Sequence, residues 1–76
     1  GVLMRKHVLI PTDYPQLKTK ADSFLRYIKR RPEIDSYFTE NSGKELLMSQ
    51  FLKETGMAAG TLKKLHESGI CLLADK

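Results

Sequence analysis

The sequence predicts a small α+β domain that is mostly helical, and three observations support this prediction. Residues 49–69 have the pattern of a short helix, a turn at Gly56 and a second helix. Two short helices joined by a turn that contains Gly form a helix-turn-helix. Apolar residues in 16–31 and 32–40 repeat at helical spacing. Short apolar runs before and after these helices indicate a two- or three-stranded sheet.

The predicted helix-turn-helix core spans residues 49–69. Ser49 is suited to cap its first helix, because a serine hydroxyl accepts hydrogen bonds from free backbone N–H groups. Met57 follows the turn as an apolar plug, and Gly69 ends the second helix in the left-handed conformation. The apolar residues 70–73 then predict a strand. Helix, turn, helix and strand in this order are typical of the middle of a winged-helix domain.

Two further strands are predicted outside this core. Residues 2–10 contain β-branched side chains and are followed by Pro11, which indicates an edge strand. Residues 12–15 have turn chemistry, and Tyr14 is placed to pack this turn against the core. Residues 44–48 predict a short strand that pairs with the strand after the second helix, with an early helical turn as the alternative.

Residues 16–31 predict one continuous helix with a single apolar stripe. The stripe contains Leu17, Ala21, Phe24, Leu25 and Ile28. The other surfaces carry six basic residues against Asp22, and these are Lys18, Lys20, Arg26, Lys29, Arg30 and Arg31. They are either a solvated face that favours the C-terminal helix dipole or a surface that contacts phosphates. Pro32 breaks the pattern and begins a second helix, Pro32–Glu40.

We therefore expect three or four helices around one core. The predicted core consists of Leu17, Phe24, Leu25, Ile28, Phe38, Phe51, Leu52, Leu62, Leu65 and Ile70. These apolar stripes are narrow enough to be buried by a single core, which predicts a monomer as an isolated domain.

Composition limits the function classes. With 76 residues the chain is one small domain, and its net charge of +4 suits a polyanionic partner. The single cysteine, Cys71, excludes an internal disulfide and a multi-cysteine zinc site and is expected to be a small buried side chain. No segment approaches the roughly 20 apolar residues of a membrane span, and no secretory signal is present. We expect a cytoplasmic protein.

Three segments carry a resemblance to a known family. They are Arg31-Pro32-Glu33, Gly43-Lys44-Glu45-Leu46-Leu47, and Thr61-Leu62-Lys63-Lys64-Leu65-His66-Glu67-Ser68-Gly69-Ile70. Together they resemble the winged-helix domain of the primosomal replication-restart helicase PriA (primosomal protein N′), over residues 8–73. The last segment is the most similar, because that family closes its helix-turn-helix with a Leu-Lys-x-Leu-x-x-Lys-Gly-Ile/Leu pattern. Two positions differ: Ala58 replaces the usual Ser or Thr cap, and Ser68 replaces a Lys.

The resemblance implies a DNA-binding accessory domain of a replication-restart helicase that contacts duplex or branched DNA through backbone phosphates. The chain alone would not be an enzyme, and it would need no cofactor. It would be a single domain, residues 1–76, excised from an ATP-dependent DNA helicase of the primosome and carrying a short or missing wing. The family's helicase motor and zinc-binding cysteines would lie elsewhere in the parent, consistent with the absence of a Gly-x-x-x-x-Gly-Lys-Ser/Thr loop here.

No catalytic or metal site is predicted from the residues. His7 and His66 are far apart and lack metal-ligand spacing, and no serine or cysteine lies in a recognisable nucleophile motif. The predicted DNA-binding residues are basic side chains of two helices, namely Lys63, Lys64, His66, Lys29, Arg30 and Arg31.

Three functions remain open from the sequence. The first is the helicase accessory domain, whose partners are DNA and the other domains of the parent. The second is a stand-alone transcriptional regulator, which would dimerise to read two half-sites. The third is a protein-interaction winged helix that binds no nucleic acid. The second helix of the helix-turn-helix has no Arg, Asn or Gln, the residues that usually read guanine and adenine. This composition favours sequence-tolerant binding.

Overall fold

The computed structural model describes residues 5–75, which form a small, mostly helical α+β domain of the winged-helix type. Its elements, in chain order, are β1 (Lys6–Leu9), α1 (Tyr14–Thr19), α2 (Asp22–Arg30), α3 (Pro32–Glu40), β2 (Glu45–Leu47), α4 (Met48–Thr55), α5 (Ala59–Glu67) and β3 (Leu72–Asp75). Residues 2–4 of the predicted first strand lie outside the described residues.

The three strands form one antiparallel sheet with β1 in the centre, in the order β2-β1-β3. Val8 of β1 is opposite Leu46 of β2 and Leu73 of β3. The prediction that β1 is an edge strand is therefore wrong. Pro11 lies beyond the last ladder residue of β1, so its missing N–H does not prevent pairing on both sides. β2 and β3 each pair with β1 and not with one another, which corrects the predicted pairing as well.

The region predicted as one helix over 16–31 contains two helices. α1 begins at Tyr14 with Pro15 in its first turn, and α2 begins at Asp22. Between them the backbone of Ala21 has φ −113° and ψ 88°, which is not helical. The apolar spacing continues through this break, so periodicity alone gave no sign of it. Residues 5–75 consequently contain five helices, whereas three or four were predicted.

The helix-turn-helix consists of α4 and α5 joined at Gly56, where a turn was predicted, and the φ of 68° at this residue is left-handed. The N–H of Gly56 donates to the carbonyl of Leu52 at 2.8 Å and closes the last turn of α4. Ser49 is not the N-cap, because β2 runs directly into a helix that already begins at Met48. Ala58 occupies the N-cap position of α5 and supplies no side-chain hydrogen bond there, as its methyl group predicts.

The core contains most of the residues of the predicted core list and others outside that list, among which Tyr14, Met57 and Cys71 were already expected to pack inside. Seven predicted residues are buried, and these are Phe24, Ile28, Phe38, Phe51, Leu62, Leu65 and Ile70. Leu17, Leu25 and Leu52 are half-buried and pack against this core. The additional buried residues are Val8, Ile10, Tyr14, Ile34, Met57 and Cys71. Tyr14 belongs to the core because its ring packs against those of Phe24 and Phe38, with centroids 6.0 Å and 5.2 Å away.

Candidate nucleic-acid interface

The outer face of α5 carries two adjacent exposed lysines, Lys63 and Lys64. The opposite face of the same helix is fixed against the core by Leu62, which is fully buried, and by Leu65. Because successive helix positions differ by about 100°, both lysine stems must point into solvent once these two leucines are buried. Neither lysine forms an ion pair within residues 5–75. The positive charge of this face is therefore not neutralised by the fold.

α2 presents a second group of exposed basic residues, Arg26, Lys29 and Arg30. These three side chains also have no ion pair in the part of the chain that the structure describes. Lys29 and Arg30 lie in the last turn of α2, where positive charge is favoured by the helix dipole. The dipole accounts for their position without a ligand, but it leaves their charged groups accessible.

A groove of about 270 Å³ lies between α2 and α5. Its lining residues are Ser23, Phe24 and Tyr27 of α2, Thr61, Lys64 and Leu65 of α5, and Ser68. The two helices that carry the predicted DNA-binding residues are thus neighbours, a relation that the sequence did not reveal. The groove residues other than Lys64 were not predicted as site residues. Their helical spacing was visible, since Ser23 and Tyr27 are four apart and Thr61, Lys64 and Ser68 share one face, but nothing indicated that these faces meet.

Arg31 differs from the other predicted DNA-binding residues because all three nitrogens of its guanidinium are hydrogen-bonded to groups of this chain. Its Nε donates to Glu33 Oε1 at 2.9 Å, and its Nη1 donates to the Tyr27 hydroxyl at 3.2 Å. Its Nη2 donates to the carbonyl of Thr55 at 2.7 Å, at the end of α4. The hydrogen bond to Glu33 raises the pKa of Arg31 above its already high ordinary value. Arg31 thereby joins the end of α2 to the turn of the helix-turn-helix.

His66 lies near the end of α5, and its ring contacts the backbone just before β3. Its Nδ1 is 3.2 Å from the carbonyl oxygen of Cys71, so a proton on Nδ1 is donated to that oxygen. The residue remains exposed, and its proposed contact with DNA remains a prediction.

Cys71 and His7 are the other side chains that could take part in chemistry, and each has buried atoms within the fold. Cys71 is buried, as expected, and burial raises the pKa of its thiol to about 12, which keeps it protonated at neutral pH. His7 Nδ1 is buried and has no hydrogen-bond partner among the described residues. Across residues 5–75, no three His, Cys, Asp or Glu side chains come together in a group that could hold a metal ion.

Comparison of the chain with protein-family models, with curated proteins and with solved structures returns no match. None of the helices between residues 5 and 75 has the length and apolar character needed to cross a membrane.

Proposed function

We propose that this domain binds DNA through its backbone phosphates, in a sequence-tolerant manner, with α5 of the helix-turn-helix as the principal contact. The observation that carries the proposal is the exposed pair Lys63 and Lys64, which is free of ion pairs within the described residues and lies opposite the buried face of α5. Lysines act as point charges on phosphates and carry little base information. In a winged helix the corresponding surface commonly lies against a duplex groove.

The exposed basic residues of α2 extend this surface. Arg26 and Arg30 follow the groove-lining Ser23 and Tyr27 by three residues, so a duplex lying along α5 would bring its neighbouring phosphates toward them, while Lys29 lies on the far side of α2 from the groove. Arg31 contributes to this surface by positioning other groups, because its hydrogen bonds hold Tyr27 and the end of α4 in place.

A role in replication restart is a narrower part of the proposal, and the motif of residues 61–70 supports it. In that setting the domain would hold duplex or branched DNA for a helicase motor located elsewhere in a larger, cytoplasmic protein. The absence of Arg, Asn and Gln from α5 fits such a role better than that of a transcriptional regulator.

The test is a salt titration of DNA binding with matched charge variants. Changing Lys63 and Lys64 together to Ala should weaken binding to every duplex sequence alike. It should also flatten the plot of log K against log salt by about two units, because each neutralised phosphate contributes about −0.9. Changing Lys6 and Lys44 together to Ala removes the same charge from exposed positions in and beside the sheet, and should leave the slope nearly unchanged.

Fluorescence anisotropy with a labelled duplex at several salt concentrations measures both quantities. Equal losses in the two double variants would mean that only net charge matters and that α5 is not the contact. Absence of binding at low salt would favour a protein-interaction module, and an effect on one sequence alone would favour a regulator.

A further inference from the structure

We propose that the groove between α2 and α5 binds an unpaired DNA base, so that the preferred ligand is a duplex with a single-stranded end or branch. The inference rests on the proposed function and adds to it a site for a nucleotide outside the duplex. It follows from the lining of the groove and from the charges around it.

The floor and one wall of the groove are apolar and fixed. Phe24 is 2% exposed and Leu65 is 6% exposed, so both present a surface held by the core behind them. Tyr27 forms the wall, and its ring lies 6.4 Å from that of Phe24. The hydroxyl of Tyr27 accepts a hydrogen bond from Arg31 at 3.2 Å, which holds the ring in position. A rigid aromatic wall above an apolar floor is suited to a planar base, because bases stack on aromatic side chains irrespective of sequence.

The rim of the groove is polar and open to solvent. Ser23, Thr61 and Ser68 line it, and their hydroxyls make no hydrogen bond to another group within residues 5–75. A hydroxyl both donates and accepts, so this rim can meet the polar edge of any of the four bases. A few polar groups around an apolar floor is the usual composition of a small-ligand site.

The charges around the groove favour a nucleotide over an apolar protein segment. Lys64 lines the groove, and no carboxylate does. Arg26 and Arg30 follow Ser23 and Tyr27 by three residues, which places them on the same side of α2. A base in the groove would therefore have basic side chains on both sides for its flanking phosphates. A protein segment would gain nothing from these charges unless it were acidic.

Binding of two matched DNA hairpins tests the proposal. One hairpin is blunt, and the other has the same duplex with a short oligothymidine tail. We expect the tailed hairpin to bind the full chain about fivefold more tightly, since stacking of even one base contributes at least this much. The change Ser23→Leu should fill the groove without offering a ring for stacking. It should remove the preference for the tail and leave the affinity for the blunt hairpin within about twofold.

The control is Ser36→Leu, which makes the same change at an exposed serine of α3 away from the groove and should retain the preference. A second measurement needs no variant: the methyl NMR signals of Thr61 and Leu65 in the parent chain should shift on adding oligothymidine. Equal affinity for the two hairpins, with unmoved methyl signals, would overturn the inference and leave the groove to a protein segment, while the proposed duplex binding would stand. Failure to bind either hairpin would instead overturn the proposed function.

Discussion

At Asp35, one carboxylate oxygen joins α1 to α3 through two donors. The Tyr14 hydroxyl donates to Oδ1 at 2.7 Å, and Lys18 Nζ donates to the same atom at 3.0 Å. Tyr14 is fully buried, so its hydroxyl must have a partner in the folded state. The hydrogen bond from Tyr14 lowers the pKa of Asp35 below its ordinary value, with Lys18 adding to the effect. Burial and the same carboxylate raise the pKa of Tyr14.

Replacing Tyr14 with Phe should lower the free energy of unfolding by about 1 kcal/mol at neutral pH, because a partly buried hydrogen bond to a charged acceptor is lost. The pKa of Asp35 is lower in the folded chain than in the unfolded chain, so its contribution is present above about pH 4 and is lost as pH falls further. The difference between parent and variant should therefore shrink at acidic pH. Urea unfolding at several pH values measures it.

Tyr37→Phe is the matched control for this prediction. Tyr37 also donates to a carboxylate, Glu54 Oε1 at 3.3 Å, but this contact is exposed. Its loss should cost less than that of the Tyr14 contact. Equal costs for the two variants would contradict the assignment of the Tyr14 hydroxyl as a partly buried connection between helices.

At the scale of elements, the turn between α4 and α5 depends on a single left-handed residue. Gly56 has φ of 68°, while a Cβ added there would be 3.5 Å from Arg31 Nη2, an ordinary contact. The requirement for glycine is thus conformational and not steric. Gly60 differs, because it lies inside α5 and a Cβ there would meet nothing within 4 Å.

Two alanine substitutions should therefore have opposite effects on the free energy of unfolding. Gly56→Ala should destabilise the domain by about 1–2 kcal/mol, the cost of a left-handed conformation for a residue with a Cβ. Gly60→Ala should stabilise it by up to about 1 kcal/mol, because alanine is the better helix former. Chemical denaturation of the two variants in parallel provides the comparison. Destabilisation by Gly60→Ala would show that the start of α5 is constrained by something other than helix propensity.

At the scale of the whole molecule, the helices share a cluster of aromatic rings. The Phe24 ring lies 6.0 Å from Tyr14 and 5.7 Å from Phe38, and Phe38 lies 5.6 Å from Phe51. These four residues come from α1, α2, α3 and α4, so the cluster connects the N-terminal helices to the helix-turn-helix. A domain of 76 residues has little stability to spare.

Truncation of Phe24 or of Leu65 to Ala should each cost about 2–5 kcal/mol, which is enough to unfold a domain of this size. Leu25→Ala is the control, because Leu25 is only half-buried beside Phe24 and its loss should cost clearly less. Thermal melting monitored by circular dichroism distinguishes these cases. A melting curve for Phe24→Ala like that of the parent would contradict the core described above.

The predictable part of the fold and of the site is the part that depends on neighbours in sequence. Gly56 at the helix-turn-helix, the helix that begins at Pro32 and the strand before α4 were all predicted, because glycine, proline and apolar spacing act over a few residues. The exposure of Lys63 and Lys64 followed from the same spacing. These features are local consequences of backbone sterics and burial.

Tertiary structure alone decided how these local elements were joined. The central position of β1 depends on which strands compete for its two edges, and these lie far from it in the chain. The break at Ala21 lets α1 and α2 both pack on α3, although the apolar stripe runs on without interruption. The groove between α2 and α5 and the hydrogen bond from Arg31 to the carbonyl of Thr55 likewise join distant segments. Contacts of this kind are set by the free energy of the whole core, which no single segment of the sequence contains.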